Sequence, residues 1–353
     1  MSTPTDPNSR NLSYVDALNE AVEQEMDLDP GVFVIGLNVD DHKGIQGTTQ
    51  GLFDKFGPER VMDTPLSEDA VTGICIGAAM AGMRPIHVHI RMDFLLLCMN
   101  QLINMAAKAH YMYGGQTRVP MVVRSIIGKS WGQGAQHSQG LHSMFMHVPG
   151  LKVVAPTNAY DAKGCLIAAI RDNNPVIFVE HRLLYSTNAP VPKAPYTVEF
   201  GKARIVGEGD DITLVGISYM LVECLAARDL LAEAGVSAEV IDPVSLMPLD
   251  VDTIAQSAGR TGKMLVVDNA WTAAGAGAEI VAAVCERGNA PTVGRMGYAA
   301  TTCPTTPSLE KDFYPNATTI AAKAFAMVQP DEKPWTPDAE PTLPHEAAFK
   351  GPF

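Results

Sequence analysis

The apolar positions of the chain fall into two alternating periods. From Tyr14 to Met26 they recur at helical spacing, and the PGVFVIGL that follows is a continuous apolar run of the length of a buried strand. The succession then repeats. A glycine-bearing loop and a short helix lead to VMD at 61–63, and a helix of small residues from Ala70 to Met83 precedes the strand IHVHI. The helix LLLCMNQLINMAAKAHYM, apolar on most faces as an element buried between subunits or layers would be, precedes VPMVVRS at 119–125. LKVVAP, the helix AYDAKGCLIAAIRD and PVIFVEH close the series near Tyr185. Strands alternating with helices in this way predict an α/β, doubly wound domain on a parallel sheet. Beyond the proline-bearing STNAPVPKAPYTVEF, the segments DITLVGIS, AEVIDPVSLMPL and MLVVDNA alternate with helices and predict a second, smaller α/β domain. The expected organisation is a first domain over 12–190, a linker over 191–200, a second domain over 201–328 and an irregular tail over 329–353. That tail is rich in proline and acid and too poor in aliphatic residues to bury a core.

One stretch carries candidate chemistry, DTPLSEDAVTGICIGAAMAGMRPIHVHIRMDF from Asp63 to Phe94. Ser67 is placed to cap the helix, and Glu68 and Asp69 stand in its first turn, where the helix dipole favours acids. Glu68 by itself allows two readings: a solvated first-turn glutamate, or a carboxylate at an apolar junction that shares a proton with a ring nitrogen. The thin side chains of Gly73, Gly77, Ala78 and Ala81 suit a helix pressed against a neighbour. Alternation along HVHIR sets His87, His89 and Arg91 on one face as a basic stripe. That stripe either contacts a partner or a buried acid, or lets Arg91 with Lys129 hold an anionic substrate. The loop IIGKSWGQGAQHSQG presents His137 where an α/β sheet offers ligand groups. Its glycines do not match a dinucleotide fingerprint.

Composition narrows the classes. A formal charge of −13 with no basic patch argues against nucleic acid. No apolar run is long enough for a membrane span, and MSTPTDPNSRN lacks the apolar centre of a signal peptide. Six scattered cysteines without a CxxC pair read as reduced thiols of a cytoplasmic protein and argue against a zinc site.

Together with QHSQ at 136–139, PGLKVVAPTNAYDAKG at 149–164 and IRDNNPVIFVEHRLLY at 170–185, the 63–94 stretch resembles the beta subunit of the thiamine-diphosphate-dependent decarboxylating component of 2-oxo acid dehydrogenase complexes. The likeness extends from about Tyr14 to Val328. It implies a pyrimidine-binding transketolase-like domain followed by a smaller transketolase C-terminal-like domain given to assembly. It further implies that Glu68 protonates the cofactor's aminopyrimidine, that Ile90 and Phe94 border that ring, and that His137 faces the reacting end. Around Ala169, Asp172 and Asn174 it implies a structural potassium ion. The diphosphate of the cofactor is held in such enzymes through Mg2+ by a GDG motif, which this chain lacks. An alpha subunit is therefore expected to supply that half of the site in an α2β2 assembly, with a lipoyl or other carrier protein as acceptor. Half of a split transketolase-like enzyme and a non-catalytic assembly subunit are the other readings. Asn38 stands where the resemblance calls for an acid, and Asp268-Asn269 where it calls for two acids or an acid and a histidine.

Overall fold

A computed structural model of the chain describes residues 9–129, 132–288, 290–338, 341 and 343. The chain divides into two compact units. Among the described residues, one comprises those from Ser9 through Ile127 together with Met144–Glu199, and the other comprises Gly128–Ser143 together with those from Phe200 onward.

The first unit is built on parallel strands in the order Lys152–Val154, Val176–His181, Val122–Ile127, Arg84–His89, Val32–Gly36, Val61–Asp63. Both faces of these strands are covered by helices, so their residues are almost all buried and read as unbroken apolar runs. The chain starts at Val32–Gly36, moves outward to Val61–Asp63, then returns to pair Arg84–His89 on the other flank. This reversal is a topological switch point, and the carboxyl ends of Val32–Gly36 and Arg84–His89 are where open α/β sheets take their ligands. Gly36 is required there: a Cβ would stand 2.3 Å from the Val88 carbonyl oxygen across the strand pair. Beneath the sheet, Arg124 and Glu180 form a buried two-point ion pair at 2.7 and 3.0 Å, and the Tyr185 hydroxyl donates to the same carboxylate at 2.7 Å.

The segment 191–200 is not a loose tether. Asn188–Pro192 is a strand paired antiparallel to Ser9–Ser13, an element the apolar pattern did not show. The ammonium of Lys163, wholly buried, then holds the following turn by donating to the carbonyls of Pro192, Lys193 and Ala194 and to Glu20. Tyr196 stacks on Tyr160 at 4.6 Å. Prolines here set the direction of a chain that is fastened along its length.

The second unit carries the strand order Thr292–Tyr298, Lys263–Trp271, Ile212–Gly216, Ala238–Asp242, Arg204–Gly207, all parallel except the last. Helices Met220–Glu233, Val251–Thr261, Ala276–Glu286 and Ala317–Val328 surround it. Gly128–Ser143, which the pattern assigns to the first domain, belongs to this unit because its glycines and polar groups meet residues of the C-terminal half. Past Val328 the described residues contain no helix or strand, with Trp335 packed on Phe325 at 5.0 Å. The remainder of the expected tail, 339–340, 342 and 344–353, lies outside the described residues.

Candidate active site

Glu68 is the first residue of the helix Glu68–Met80, five residues past the carboxyl end of Val61–Asp63, and is half-buried. The expected cap differs. Ser67 precedes the helix with φ −150° and ψ 56°, and its hydroxyl makes no capping hydrogen bond. The first turn is tied from inside instead, by Thr72 Oγ1 donating to the Glu68 carbonyl at 2.8 Å. One face of the helix packs on Arg84–His89 and on the segment that follows that strand. Its other face is open: Ile74 is 60% exposed, nothing lies within 4 Å of a Cβ at Gly77, and Leu66 just before the helix is 74% exposed.

After His89 the chain passes Ile90 and Arg91 into a 3-10 segment, Met92–Cys98, a π-helical segment, Asn100–Ala106, and only then the α-helix Ala107–Met112. The uniform helix the apolar pattern predicts here is thus overwound and then underwound. Ile90 and Phe94 are half-buried at the start of this segment, while Leu97, Met105 and Met112 face outward.

The histidines of the strand are on one face as expected, with ring centroids 5.3 Å apart, but they are not a basic stripe. Burial, with His89 beside it, pushes His87 down to about 3, and burial also lowers His89. Both imidazoles are therefore neutral near pH 7. His89 Nδ1 lies 3.2 Å from the Arg91 carbonyl, which can only accept, so Nδ1 carries the proton and Nε2 accepts from the Cys98 thiol at 3.6 Å. The thiol suits that role, since burial raises Cys98 to about 11. Cys98 and Thr72 were not singled out in the sequence, because no local pattern shows that they meet the two histidines.

Arg91 is 8% exposed, and its Nη1 donates to the Ile90 carbonyl at 2.8 Å. Desolvation lowers its pKa, while Tyr185 and Asp93 pull the other way. Lys129 belongs to the other unit, where its ammonium lies 5.9 Å from the centre of the Tyr314 ring and opposes the burial that raises Glu310.

His137 is half-buried and closes the 3-10 turn Gly134–Gln136, its amide donating to the Gly134 carbonyl at 3.3 Å. The loop around it is fitted against the C-terminal half. A Cβ at Gly140 would stand 1.8 Å from the Asn269 carbonyl oxygen, and one at Gly134, whose φ is +68°, would stand 2.3 Å from Thr305 Cγ2. Tyr298 donates to the Ser138 carbonyl at 3.4 Å, and His142 pairs with Asp268 at 2.9 Å.

At the end of the helix Ala159–Arg171, the residues tied to potassium do share one turn. The Asp172 amide donates to the Ala169 carbonyl at 3.2 Å, and the amide of Asn174 donates to Asp172 Oδ1 at 2.9 Å. Two cationic side chains already serve these oxygens: Lys152 pairs with the Asp172 carboxylate, and Arg84 donates to the carbonyls of Ile170 and Asp172 at 2.9 and 2.8 Å. Among the described residues no group of three or more His, Cys, Asp or Glu side chains is arranged to hold a metal ion. Asn38 adopts φ +57°, which asparagine tolerates better than glutamate, and its amide donates to Asp63 Oδ1 at 2.6 Å.

The doubly wound parallel sheet, with Glu68 at the start of a helix that packs on the segment after Arg84–His89, is an α/β arrangement of the transketolase class. Residues 10–187 match the family described as Transketolase, pyrimidine binding domain, and residues 201–320 match Transketolase, C-terminal domain. The chain belongs to this family, and proteins named as beta subunits are among its relatives. It is 42% identical over 329 residues to the Acetoin:2,6-dichlorophenolindophenol oxidoreductase subunit beta of Cupriavidus necator, covering 90% of this chain and 97% of that protein. It is 43% identical over 273 residues to the Pyruvate dehydrogenase E1 component subunit beta of Rickettsia bellii, covering 77% of this chain and 84% of that one. Among solved structures, a split gene transketolase in an inactive beta4 tetramer superposes with a TM-score of 0.74 at 19% identity, covering 90% of this chain and 98% of the other, and shares the fold.

Proposed function

We propose that this chain is the beta subunit of a thiamine-diphosphate-dependent 2-oxo acid dehydrogenase-type enzyme, active with an alpha partner in an α2β2 assembly. It would cleave the bond beside a keto carbon and pass the acyl unit to a lipoyl carrier. The observation that supports this best is Glu68 at the start of a helix packed against the segment that carries Ile90 and Phe94. An acid on a helix packed against a segment with two half-buried apolar side chains fits an aminopyrimidine, a flat ring with a basic nitrogen. The thiamine cofactor, when bound, supplies a nucleophilic thiazolium carbon and an electron sink for the acyl unit. Glu68 would hold the proton at the pyrimidine nitrogen, Phe94 and Ile90 would keep water from that pair, and His137 would deliver or take a proton at the reacting end.

The diphosphate and Mg2+ fall to the alpha subunit, because this chain has no GDG segment. The apolar face formed by Leu66, Ile74, Met80 and Leu97 is the surface offered to that partner. Potassium would add to the turn at 169–174 as a further ligand of carbonyls that keep a second lone pair beside Arg84 and Lys152. Enclosed free thiols fit a reducing, cytoplasmic setting, and no helix among the described residues is long and apolar enough to cross a membrane. The relatives favour this reading over a split transketolase, whose structural likeness at 19% identity is one of fold, and over a non-catalytic assembly subunit.

Titration calorimetry with thiamine diphosphate and Mg2+ tests the divided site. The chain alone should give no measurable heat of binding at micromolar concentration, and the chain mixed with its alpha partner should bind. Tight Mg2+-dependent binding by the chain alone would show that it holds both ends of the cofactor.

A further inference from the structure

The His137 loop is attached to the C-terminal half by close packing at its glycines, by the Tyr298 hydroxyl on the Ser138 carbonyl at 3.4 Å, and by one enclosed side-chain pair. His142 and Asp268 are both enclosed, 0% and 2% exposed, and are joined Nε2 to Oδ1 at 2.9 Å. His142 Nδ1 and Asp268 Oδ2 have no hydrogen-bond partner. An apolar pair would fasten the loop without enclosing two unsatisfied atoms, so simple adhesion does not account for a histidine and a carboxylate here. What this pair adds is direction. A hydrogen bond to a carboxylate is short and dependent on angle, whereas apolar contact tolerates rotation and sliding.

The placement of His137 makes direction matter. It lies between two points where the loop cannot move closer to the C-terminal half: Gly134 against Thr305 and Gly140 against the Asn269 carbonyl. Those glycine contacts set distance and leave rotation about the loop axis undetermined. Asp268 precedes Asn269 on the strand Lys263–Trp271, and His142 stands two residues past Gly140 at the start of the short helix His142–Met146. The His142–Asp268 hydrogen bond therefore sits beside the Gly140 contact and fixes its rotation.

We infer that His142 and Asp268 are positioning residues for His137, and that the C-terminal domain, through this pair, sets the orientation of a catalytic histidine as well as serving assembly. The inference rests on the assignment of proton transfer to His137. Two readouts test it. Hydrogen exchange of the 133–141 amides is followed in the full chain without cofactor, and kcat and KM are measured in the complex reconstituted with the alpha partner. The variants are His142→Ala, His142→Gln, His137→Ala and the double variant His137→Ala/His142→Ala. His142→Ala should speed exchange of these amides at least tenfold and lower kcat at least tenfold with KM changed less than threefold. His142→Gln, whose amide nitrogen reaches the place of Nε2, should recover most of both. On the His137→Ala background, adding His142→Ala should cost less than twofold, since a residue acting through His137 has nothing left to orient. Should His142→Ala not assemble, Asp268→Asn carries the same comparison at nearly unchanged volume. Multiplicative losses, unchanged exchange or absence of rescue by glutamine would overturn the positioning role. Activity of His137→Ala within tenfold of the parent would instead overturn the role of His137, and the two failures are distinct.

Discussion

Glu68 depends on its side chain only for a carboxyl proton, since its backbone is held by Thr72 and by the helix it begins. Glu68→Gln should therefore leave assembly intact and lower turnover by about a hundred- to ten-thousand-fold, the range for removal of an acid or base. Steady-state rates of the reconstituted complex, with its size checked by sedimentation, decide this; activity within about tenfold of the parent would return Glu68 to a solvated first-turn glutamate. Arg91 has a different surrounding. Its guanidinium is enclosed and turned back on the Ile90 carbonyl, so Arg91→Met should loosen the approach to Phe94 and reduce activity on pyruvate, branched-chain oxo acids and ketose phosphates alike. A loss confined to charged substrates, tenfold or about 1.4 kcal/mol in kcat/KM, would make Arg91 a substrate anchor.

Among the elements, the strand Arg84–His89 has the most unusual content, two adjacent histidines kept neutral inside a sheet. His87 falls to about 3 in the folded chain from an ordinary value of 6.5. Between those values the unfolded chain binds the extra proton, so stability rises with pH across the window and is lost as pH falls through 6.5. From pH 7 to pH 5 this one group should remove about 2 kcal/mol. Urea unfolding at the two pH values checks it: His87→Leu should lose about that much less than the parent, and equal losses would show that His87 protonates freely in the fold. The element scale also shows what a sequence discloses. The parallel strands were legible because burial on both faces leaves unbroken apolar runs, and the place of Glu68 at a helix start was legible from the acids that follow Ser67. The neutral state of the histidines was not, since it depends on burial that only the folded sheet provides. The 3-10 and π segments at 92–106 were hidden for the same reason: an apolar pattern reports the face of a helix and says little of its winding.

For the whole molecule, the division into two α/β units was legible from the repeated strand and helix pattern, while the membership of Gly128–Ser143 was not. That loop lies in sequence between strands of the first unit, and only long-range contacts such as Gly140 with Asn269 transfer it to the second. How the linker is fastened was not legible either: the buried ammonium of Lys163 lies 29 residues away in sequence from the first linker carbonyl it binds.

The uncovered side of the helix Glu68–Met80 has a consequence for how such a chain is made. Leu66, Ile74 and Met80 are oily groups that water does not wet well, and they stand on or just before the helix that Glu68 begins. If the proposed alpha partner covers this side, a copy synthesised without its mate would be adhesive, drawn to clump with its siblings or to be cleared by proteases. The supply of the mate would then set how much of this chain a cell can keep, so that one surface would enforce an even count of the two polypeptides.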